Sequence, residues 1–411
     1  MRHRVIKSFI ILYKKITTSI AFIPAVIAIS FLILSFAIVQ FDFSENGKAI
    51  KSNAHWLTLK DASTARSIIS TITGGLISLT VFSFSMVMIL LNQAASQMSN
   101  RILDKLIGNR FQQLVLGFYI GTIVYALFLL STIRDINSGI YVPAISTYML
   151  ITFTVIDIFL FIYFLHFVTQ SVKYETIIQQ ISDVTKKAMG KSCLLRQEQV
   201  NSIDTKIGKV INAYKSGIFQ GFLKEPLLLL CKNENLTIHF HHVTGTMLLE
   251  GNPILTLESK DGLPKNIEQE LQSLINIHGG QDIEANYYYG FRQIMEVGVK
   301  ALSPGINDPG TAILSLHALT DLLAIRLQNY PSSHLKDEDN VVRIITKERS
   351  FNDIFQDCIY PIWDHGKNDR LILEELKILL TQLQHISNNS LQSEMLLQSE
   401  RLLGNMELSC P

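Results

Sequence analysis

The chain has 411 residues, of which 48% are hydrophobic and only 17% are charged, and its mean hydropathy is +0.25. Soluble globular domains carry more charge, about 25% of residues, so this composition indicates membrane segments. The formal net charge of +1 provides no global basic field, which argues against nucleic acid as a partner. The cysteines are scattered without a CxxC pair, which favours reduced thiols over disulfides: Cys193, Cys231, Cys358 and Cys410.

Four long runs with few or no charged residues occupy the first half of the chain. A helix that crosses a bilayer needs about 20 apolar residues, and each run is long enough. We therefore predict four transmembrane helices near residues 19–40, 67–91, 112–133 and 142–169. The first run is too long for a signal peptide and no small-residue cleavage site follows it, so we expect it to be an anchor.

Lysine and arginine residues near the span ends predict the orientation. Eleven lie in the N-terminal tail, in the loop after the second span and just after the fourth span: Arg2, Arg4, Lys7, Lys14, Lys15, Arg101, Lys105, Arg110, Lys173, Lys186 and Lys187. Five lie in the other two loops: Lys48, Lys51, Lys60, Arg66 and Arg134. Because cytoplasmic loops carry the excess, this bias predicts that both termini are cytoplasmic.

Beyond the fourth span, charges become frequent. We predict a four-helix transmembrane domain over residues 1–171 and a cytosolic α+β, mostly helical domain over residues 172–411. An amphipathic helix is expected over residues 172–200.

Strand and helix patterns continue through this domain. "LTIHFHHV" (236–243) and "PILTLE" (253–258) predict strands, with Gly245 and Gly251 in turns between them. Apolar residues at spacings of three and four predict later helices over 266–277, 287–302, 311–327 and 370–384. The polar segment "QNYPSSHLKDEDN" (328–340) is predicted to be a loop.

Several motifs in this order resemble a known family. After the predicted spans come "GTMLLEGNPI" and "FRQIMEVGVKALSPGINDPGTA", and "SQMSNRIL" follows the second span. Together they are similar to the bacterial membrane-protein family called domain of unknown function 2254. The resemblance covers nearly the whole chain, and "ALSPGINDP" (301–309) is its most specific element. It implies a multi-pass protein of the bacterial inner membrane and, since the family name states no activity, it implies no catalytic residue.

The second predicted span carries a stripe of small and polar residues. At 100° per residue they fall within about 60° of arc, and they are Ser67, Gly74, Ser78, Ser85, Asn92, Ser96 and Ser99. The opposite face is apolar: Ile69, Ile72, Leu76, Leu79, Val87 and Leu90. The stripe indicates either close helix packing or a pore-lining helix in an oligomer. On the second interpretation, the pore-lining candidates are Ser78, Ser85 and Asn92.

Asp157 lies well inside the fourth predicted span, about level with residues 83–85 of the second. A carboxylate at that depth is costly and is a functional candidate, so we add it to the pore-lining candidates. The alternative is a protonated aspartic acid whose hydrogen bond holds two helices together. His166 lies nearer the cytoplasmic end and is expected at the interface.

The segment "SPGINDPG" (303–310) joins two predicted helices. Pro304 ends the first helix, Gly305 permits a left-handed turn, and Asp308 before a proline is a typical N-cap. These features predict a rigid corner. The alternative is a ligand site in which Ser303, Asn307 and Asp308 contribute oxygen atoms to a cation, or exposed amides bind an anion.

The function best supported by these patterns is a homo-oligomeric ion or small-solute channel with a cytosolic gating or sensing domain. The alternatives are a non-conducting scaffold or signalling protein whose cytosolic domain binds a partner, and a membrane-anchored enzyme centred on Asn307 and Asp308. No nucleotide-binding, metalloprotease, hydrolase or kinase motif occurs. The histidines of "HFHH" (239–242) lack a third ligand at metal spacing.

We therefore predict no catalytic residue, no metal and no cofactor. The expected partners are the lipid bilayer, further copies of the chain and a small ion or cytosolic ligand.

Overall fold

The computed structural model describes residues 19, 21–53, 59, 61–97, 110–133, 143–171, 173–196, 208–259, 262, 264, 266–386 and 404. Its main division into two compact units falls between Lys173 and Tyr174. Several residues used for the predicted orientation lie outside the described residues: Arg2, Arg4, Lys7, Lys14, Lys15, Lys60, Arg101, Lys105 and Arg134. Ser99 and Cys410 lie outside them too.

The N-terminal unit is built from long apolar helices, in which the backbone hydrogen bonds are satisfied within each helix. Its described elements are α1 (Phe22–Phe43), α2 (Glu45–Asn53), α3 (Ala62–Gln97), α4 (Arg110–Thr132) and α5 (Ala144–Ser171). The four predicted spans coincide with α1, α3, α4 and α5, whose ends differ from the predicted ends by a few residues.

The most extensive helix contact of this unit is between α1 and α4. Gly117 and Gly121 of α4 face α1, where a Cβ atom would lie 2.6 Å from Ile27 Cδ1 and 2.8 Å from the Phe31 ring respectively. Small residues four apart let helix backbones approach closely in a membrane. The close packing in this unit therefore comes from the GxxxG pair of α4 and not from the serine-rich α3.

A buried ion pair joins α1, α2 and α5. The Asp42 carboxylate accepts hydrogen bonds from Lys51 Nζ at 2.7 Å, and from the backbone N and Oγ of Ser146 at 2.8 and 3.0 Å. The Tyr125 hydroxyl of α4 donates to the Ser146 carbonyl oxygen at 3.0 Å. Because Ser146 lies in the first turn of α5, the carboxylate also bonds an N–H that has no partner within the helix.

The C-terminal unit mixes helices and strands. In chain order its described elements are α6 (Tyr174–Ser192), β1 (Lys209–Asn212), β2 (Gly217–Phe222), α7 (Lys224–Asn233), β3 (Leu236–Phe240), β4 (Met247–Leu248), β5 (Pro253–Ser259), α8 (Ile267–Leu274), β6 (Ile275–Ile277), α9 (Tyr288–Ala301), α10 (Pro309–Gln328), β7 (His334–Lys336), β8 (Val342–Ile345), α11 (Phe351–Gly366) and α12 (Arg370–Ile386). The predicted α+β composition is confirmed, and the two predicted strands are β3 and β5.

The strands form two sheets, with orders β1-β5-β3-β8-β7 and β4-β2-β6. The described pairings are antiparallel except for β3 with β8, in which Ile238 lies opposite Ile344. Leu236, Ile238 and Phe240 of β3 point into a core that α7 and α8 cover. On this core the Phe222 ring stacks on the Phe240 ring, with centroids 4.7 Å apart.

Three sequence predictions in this unit need correction. The predicted helix over 266–277 ends at Leu274, and Ile275–Ile277 is a strand that pairs with β2. The predicted loop over 328–340 contains β7, and the predicted helix over 172–200 is described over Tyr174–Ser192. Pairing with distant strands overrides local preference in such short segments. For the same reason the sequence showed no signal for β1, β2, β4, β6, β7 and β8.

Five described helices are long and apolar enough to cross a membrane, and α10 is the fifth. Within the C-terminal unit, α10 packs against α6, α9, α11 and α12. It carries Asp321, whose carboxylate lies 2.5 Å from Lys186 Nζ of α6, and the buried Arg326. The predicted four spans are therefore the four candidate helices of the N-terminal unit, and α10 is a further candidate that was not predicted.

Replacing Asp42 by Asn is expected to destabilise the N-terminal unit by about 3–5 kcal/mol, because the Lys51 ammonium would stay buried without its counter-charge. The double variant Asp42→Asn with Lys51→Met removes both charges and should recover much of this loss. Thermal unfolding of the protein in detergent micelles measures both effects. Glu45→Gln, at an exposed neighbouring position, is the control. If the double variant lost as much stability as the two single substitutions together, the charges of Asp42 and Lys51 would not be coupled.

Candidate functional site

The stripe of small residues lies on the outer surface of the N-terminal unit. Its described members are all exposed: Ser67, Gly74, Ser78, Ser85 and Asn92. A Cβ atom at Gly74 would meet no other atom within 4 Å. The Ser96 backbone belongs to α3, but its side chain is not among those described.

The opposite, apolar face of α3 packs inward. Ile69 and Leu76 are buried, and Ile72, Leu79 and Val87 are half-buried, while the Leu90 side chain lies outside the described set. The helix therefore joins its own unit through large apolar side chains. Among the described residues of this unit, no other helix covers the small polar face.

Asp157 does not share the outer surface with Ser78, Ser85 and Asn92. It is 0% exposed, and neither carboxylate oxygen has a hydrogen-bond partner among the described residues. Thr122 and Tyr119 of α4 are its polar neighbours. An unpaired charge buried in this way costs several kcal/mol, which keeps Asp157 a functional candidate.

The Tyr119 hydroxyl is also buried without a hydrogen-bond partner among the described residues. Ser83 of α3 lies beside the Tyr119 hydroxyl. Ser83 is one of the residues 83–85 predicted to be level with Asp157. Ser83 and Tyr119 line a groove of about 230 Å³ whose walls include Val87, Val115 and Phe164. Tyr119 and Thr122 are not among the residues predicted from the sequence, although a polar side chain within an apolar span is a recognisable signal. His166 is exposed.

The segment between α9 and α10 folds as a corner. Asp308 is the N-cap of α10, and its carboxylate accepts from the Thr311 backbone N at 3.1 Å and from the Thr311 hydroxyl at 2.6 Å. The Asp308 backbone N donates to the Ala301 carbonyl oxygen at 2.8 Å. The predicted cap is confirmed. The pKa of the nearby Tyr174 hydroxyl is raised, mainly by burial of that hydroxyl and secondly by the charge of Asp308.

Asn307, and not Gly305, adopts the left-handed conformation in this corner. Its φ is 49°, whereas Gly305 is not among the residues with positive φ. Asparagine is one of the few residues with a side chain that enter this region readily. The prediction for Gly305 is therefore wrong, and the backbone conformation explains why asparagine occupies position 307.

The three predicted ligand residues lie together in the corner. The Ser303 hydroxyl donates to the Lys300 carbonyl oxygen at 2.7 Å, the Asp308 oxygens are bonded to Thr311, and Asn307 is exposed. Local hydrogen bonds thus occupy two of the three side chains. Ligand binding at this corner stays a prediction.

The histidines of "HFHH" interact with β5. His239 Nε2 lies 3.4 Å from Glu258 Oε2, and His241 Nε2 lies 2.7 Å from Thr256 Oγ1. Burial and the neighbouring His242, Lys347 and His239 lower the pKa of His241. No group of three His, Cys, Asp or Glu residues suited to a metal occurs in the described part of the chain. Its cysteines, Cys193, Cys231 and Cys358, are buried and form no disulfide.

Substitutions in the corner separate a structural role from ligand binding. Asp308→Ala should lower the free energy of unfolding by about 0.5–2 kcal/mol through loss of the cap. Asn307→Ala should cost about 1 kcal/mol because alanine disfavours positive φ, whereas Asn307→Gly should cost little. Chemical denaturation measures all three variants. Full stability in Asp308→Ala, together with lost function in both alanine variants, would point to a ligand site instead.

Comparison with known proteins bears on the whole chain. A family model described as "Predicted membrane protein (DUF2254)" matches residues 17–382. Uncharacterised proteins of Mycobacterium bovis and Mycobacterium tuberculosis are each 22% identical over 330 residues, which is 77% of this chain. The match spans 63% of the length of these curated relatives. No solved structure matches the chain.

The matched region includes the four long helices of the N-terminal unit, both sheets and the corner between α9 and α10. It extends over far more than half of the sequence. The chain therefore belongs to the DUF2254 family of predicted membrane proteins.

Proposed function

We propose that this protein is a homo-oligomeric channel for ions or small solutes, in which α3 of several copies lines the path. The observation that carries the proposal is the outward position of the small polar face of α3. In a single copy this face would meet lipid, which offers its oxygen atoms no partner. Between several copies the same face would meet water or a hydrated ion.

The hydroxyl groups of this face support such a path. Ser78 Oγ donates to the Gly74 carbonyl oxygen at 3.0 Å, and Ser85 Oγ donates to the Val81 carbonyl oxygen at 2.9 Å. Because the hydrogen atoms point to the helix, the oxygen lone pairs remain available as acceptors. Oxygen acceptors of this kind replace part of a cation's hydration shell in channels.

Large apolar side chains beside the stripe support contacts between copies. Phe82, Phe84 and Ile89 flank the stripe and are 55%, 58% and 62% exposed. Such side chains fit a neighbouring helix or lipid but not a water-filled path. The alternative is a non-conducting scaffold, in which the small face is a dry interface between copies.

We also propose four spans and a cytosolic C-terminal unit at the bacterial inner membrane. The lysine and arginine bias supports this orientation. The packing of α10 among four helices, with its charged Asp321 and Arg326, supports its assignment to the core of a water-soluble unit. This unit would sense a signal or gate the path.

Fusion of a reporter to the C-terminus tests this topology. Alkaline phosphatase fused there should be inactive and green fluorescent protein should be fluorescent, because the former folds in the periplasm and the latter in the cytoplasm. A fusion of the same reporters within residues 54–58 should give the opposite pattern. Periplasmic activity of the C-terminal fusion would overturn the orientation.

Cysteine labelling tests the path along α3. In a background without the native cysteines, Ser78→Cys and Ser85→Cys should react with small charged thiol reagents, since these need water and a thiolate. Ile33→Cys and Phe159→Cys should stay unreactive, because these positions are 65% and 68% exposed in the unit but face lipid. Asn92 is a weaker test because it lies near the membrane boundary.

Ion flux in liposomes completes this test. Ser85→Trp should reduce flux much more than Phe159→Trp, since only the first would fill the path. If position 78 resists labelling in the assembled, lipid-embedded protein, the scaffold alternative replaces the channel. Under that alternative Ser85→Trp would reduce assembly, which size-exclusion chromatography with light scattering measures.

A further inference from the structure

A cleft of about 410 Å³ lies within the C-terminal unit. Its walls come from the end of β2, the start of α7, the turn before β4, the start of α9 and the segment after β8. Sites for small metabolites have volumes of about 300–1,000 Å³. Polar side chains are frequent in the walls: Gln220, Asn276, Asn286, Ser332, Thr346 and Glu348.

Arg349 is held in a fixed orientation in one wall. Its guanidinium carbon lies 3.9 Å from the centre of the Tyr288 ring, and its Nη1 donates to the Asp357 carboxylate at 3.3 Å. The Tyr288 hydroxyl donates to the same carboxylate at 2.5 Å. Arg349 Nε is buried and has no hydrogen-bond partner among the described residues. The Arg349 side chain is 24% exposed, and a planar guanidinium is well suited to a phosphate or carboxylate.

A second cation, Lys224, lines the same cleft. Lys224 is the first residue of α7, and the N-cap residue Leu223 offers no side-chain hydrogen bond to this helix. This helix start offers few amides to an anion, because Pro226 has no N–H and Leu227 N donates to the Leu223 carbonyl oxygen. Glu225 in the first turn opposes an anion, so Lys224 itself is the contribution of α7. At the start of α9 likewise, Tyr288 N already donates to Asn286 Oδ1 at 3.1 Å.

Two further groups indicate what else the ligand carries. Phe222 lines the cleft, is half-buried and stacks on Phe240, so its exposed part offers an apolar contact for a planar ring. Glu348 would repel an anion placed beside it. Burial raises the pKa of the Glu348 carboxyl and outweighs the Thr346 hydrogen bond and the Arg326 charge, which both lower it. A carboxyl of this kind suits a hydroxyl or amino group of the ligand.

We propose that this cleft binds a small phosphate ester with a planar ring and hydroxyl groups, the class to which mononucleotides belong. Lys224 and Arg349 bind the phosphate, and Phe222 contacts the ring. The hydroxyl groups form hydrogen bonds with Glu348 and with the side-chain amides in the walls. This inference deepens the sensing role and rests on the proposed cytosolic position of the unit. Binding itself does not require that the protein conducts.

Isothermal titration calorimetry of the full chain in nanodiscs tests the proposal, with AMP and GMP as probes. Adenosine and inorganic phosphate are expected to bind at least about tenfold more weakly than the better mononucleotide, because each lacks one part of the recognised group. Arg349→Gln and Lys224→Gln should each weaken binding about tenfold. Arg370→Gln, at a position 87% exposed on α12, should leave binding unchanged.

Absence of binding by both mononucleotides at millimolar concentration would overturn the proposal. Equal affinity of adenosine would exclude the phosphate contact, and equal affinity of inorganic phosphate would exclude the ring contact. Lys224 is exposed, so its substitution tests the site even if Arg349→Gln unfolds the protein. Binding without ion flux would refute the channel alone, whereas flux without binding would refute this cleft alone.

Discussion

The arrangement of the N-terminal helices depends on the hydrogen bonds and the ion pair of the buried Asp42 carboxylate. It bonds Lys51 of α2 and Ser146 of α5, and Tyr125 of α4 bonds the same Ser146. A buried charge is tolerated only when it is paired and hydrogen-bonded, so these helices are fixed relative to one another at this end. The GxxxG contact holds α1 against α4 nearer the start of α1, where Gly117 meets Ile27 and Gly121 meets Phe31.

This packing leaves α3 in a different role. It joins the unit through Ile69 and Leu76 and presents its serine face outward. A polar stripe that faces outward is unfavourable in lipid, although large apolar side chains such as Phe82, Phe84 and Ile89 are also exposed on the same helix. This exposed stripe is the reason for proposing an assembly of several copies, and its outward position separates its serines from the buried Asp157.

In the C-terminal unit, the tertiary structure brings together residues from distant parts of the chain. Phe222, Tyr288 and Arg349 line one cleft, although more than a hundred residues separate the first from the last. None of them belongs to a sequence motif, so the sequence carries no signal that groups them. The corner at Asp308 is the opposite case, because its cap involves residues three apart.

The sequence by itself determined the features that depend on neighbouring residues. These are the four apolar helices, the strands β3 and β5, and the cap at Asp308, since run length, alternation and capping chemistry are local properties. Only the tertiary structure decided which face of α3 points outward, that Asn307 rather than Gly305 is left-handed, and that Tyr119 lies beside Asp157. The first and the third depend on how separate elements pack together, through contacts that a linear pattern does not contain. The second depends on the backbone path of the corner, where both Gly305 and Asn307 are of residue types that tolerate positive φ.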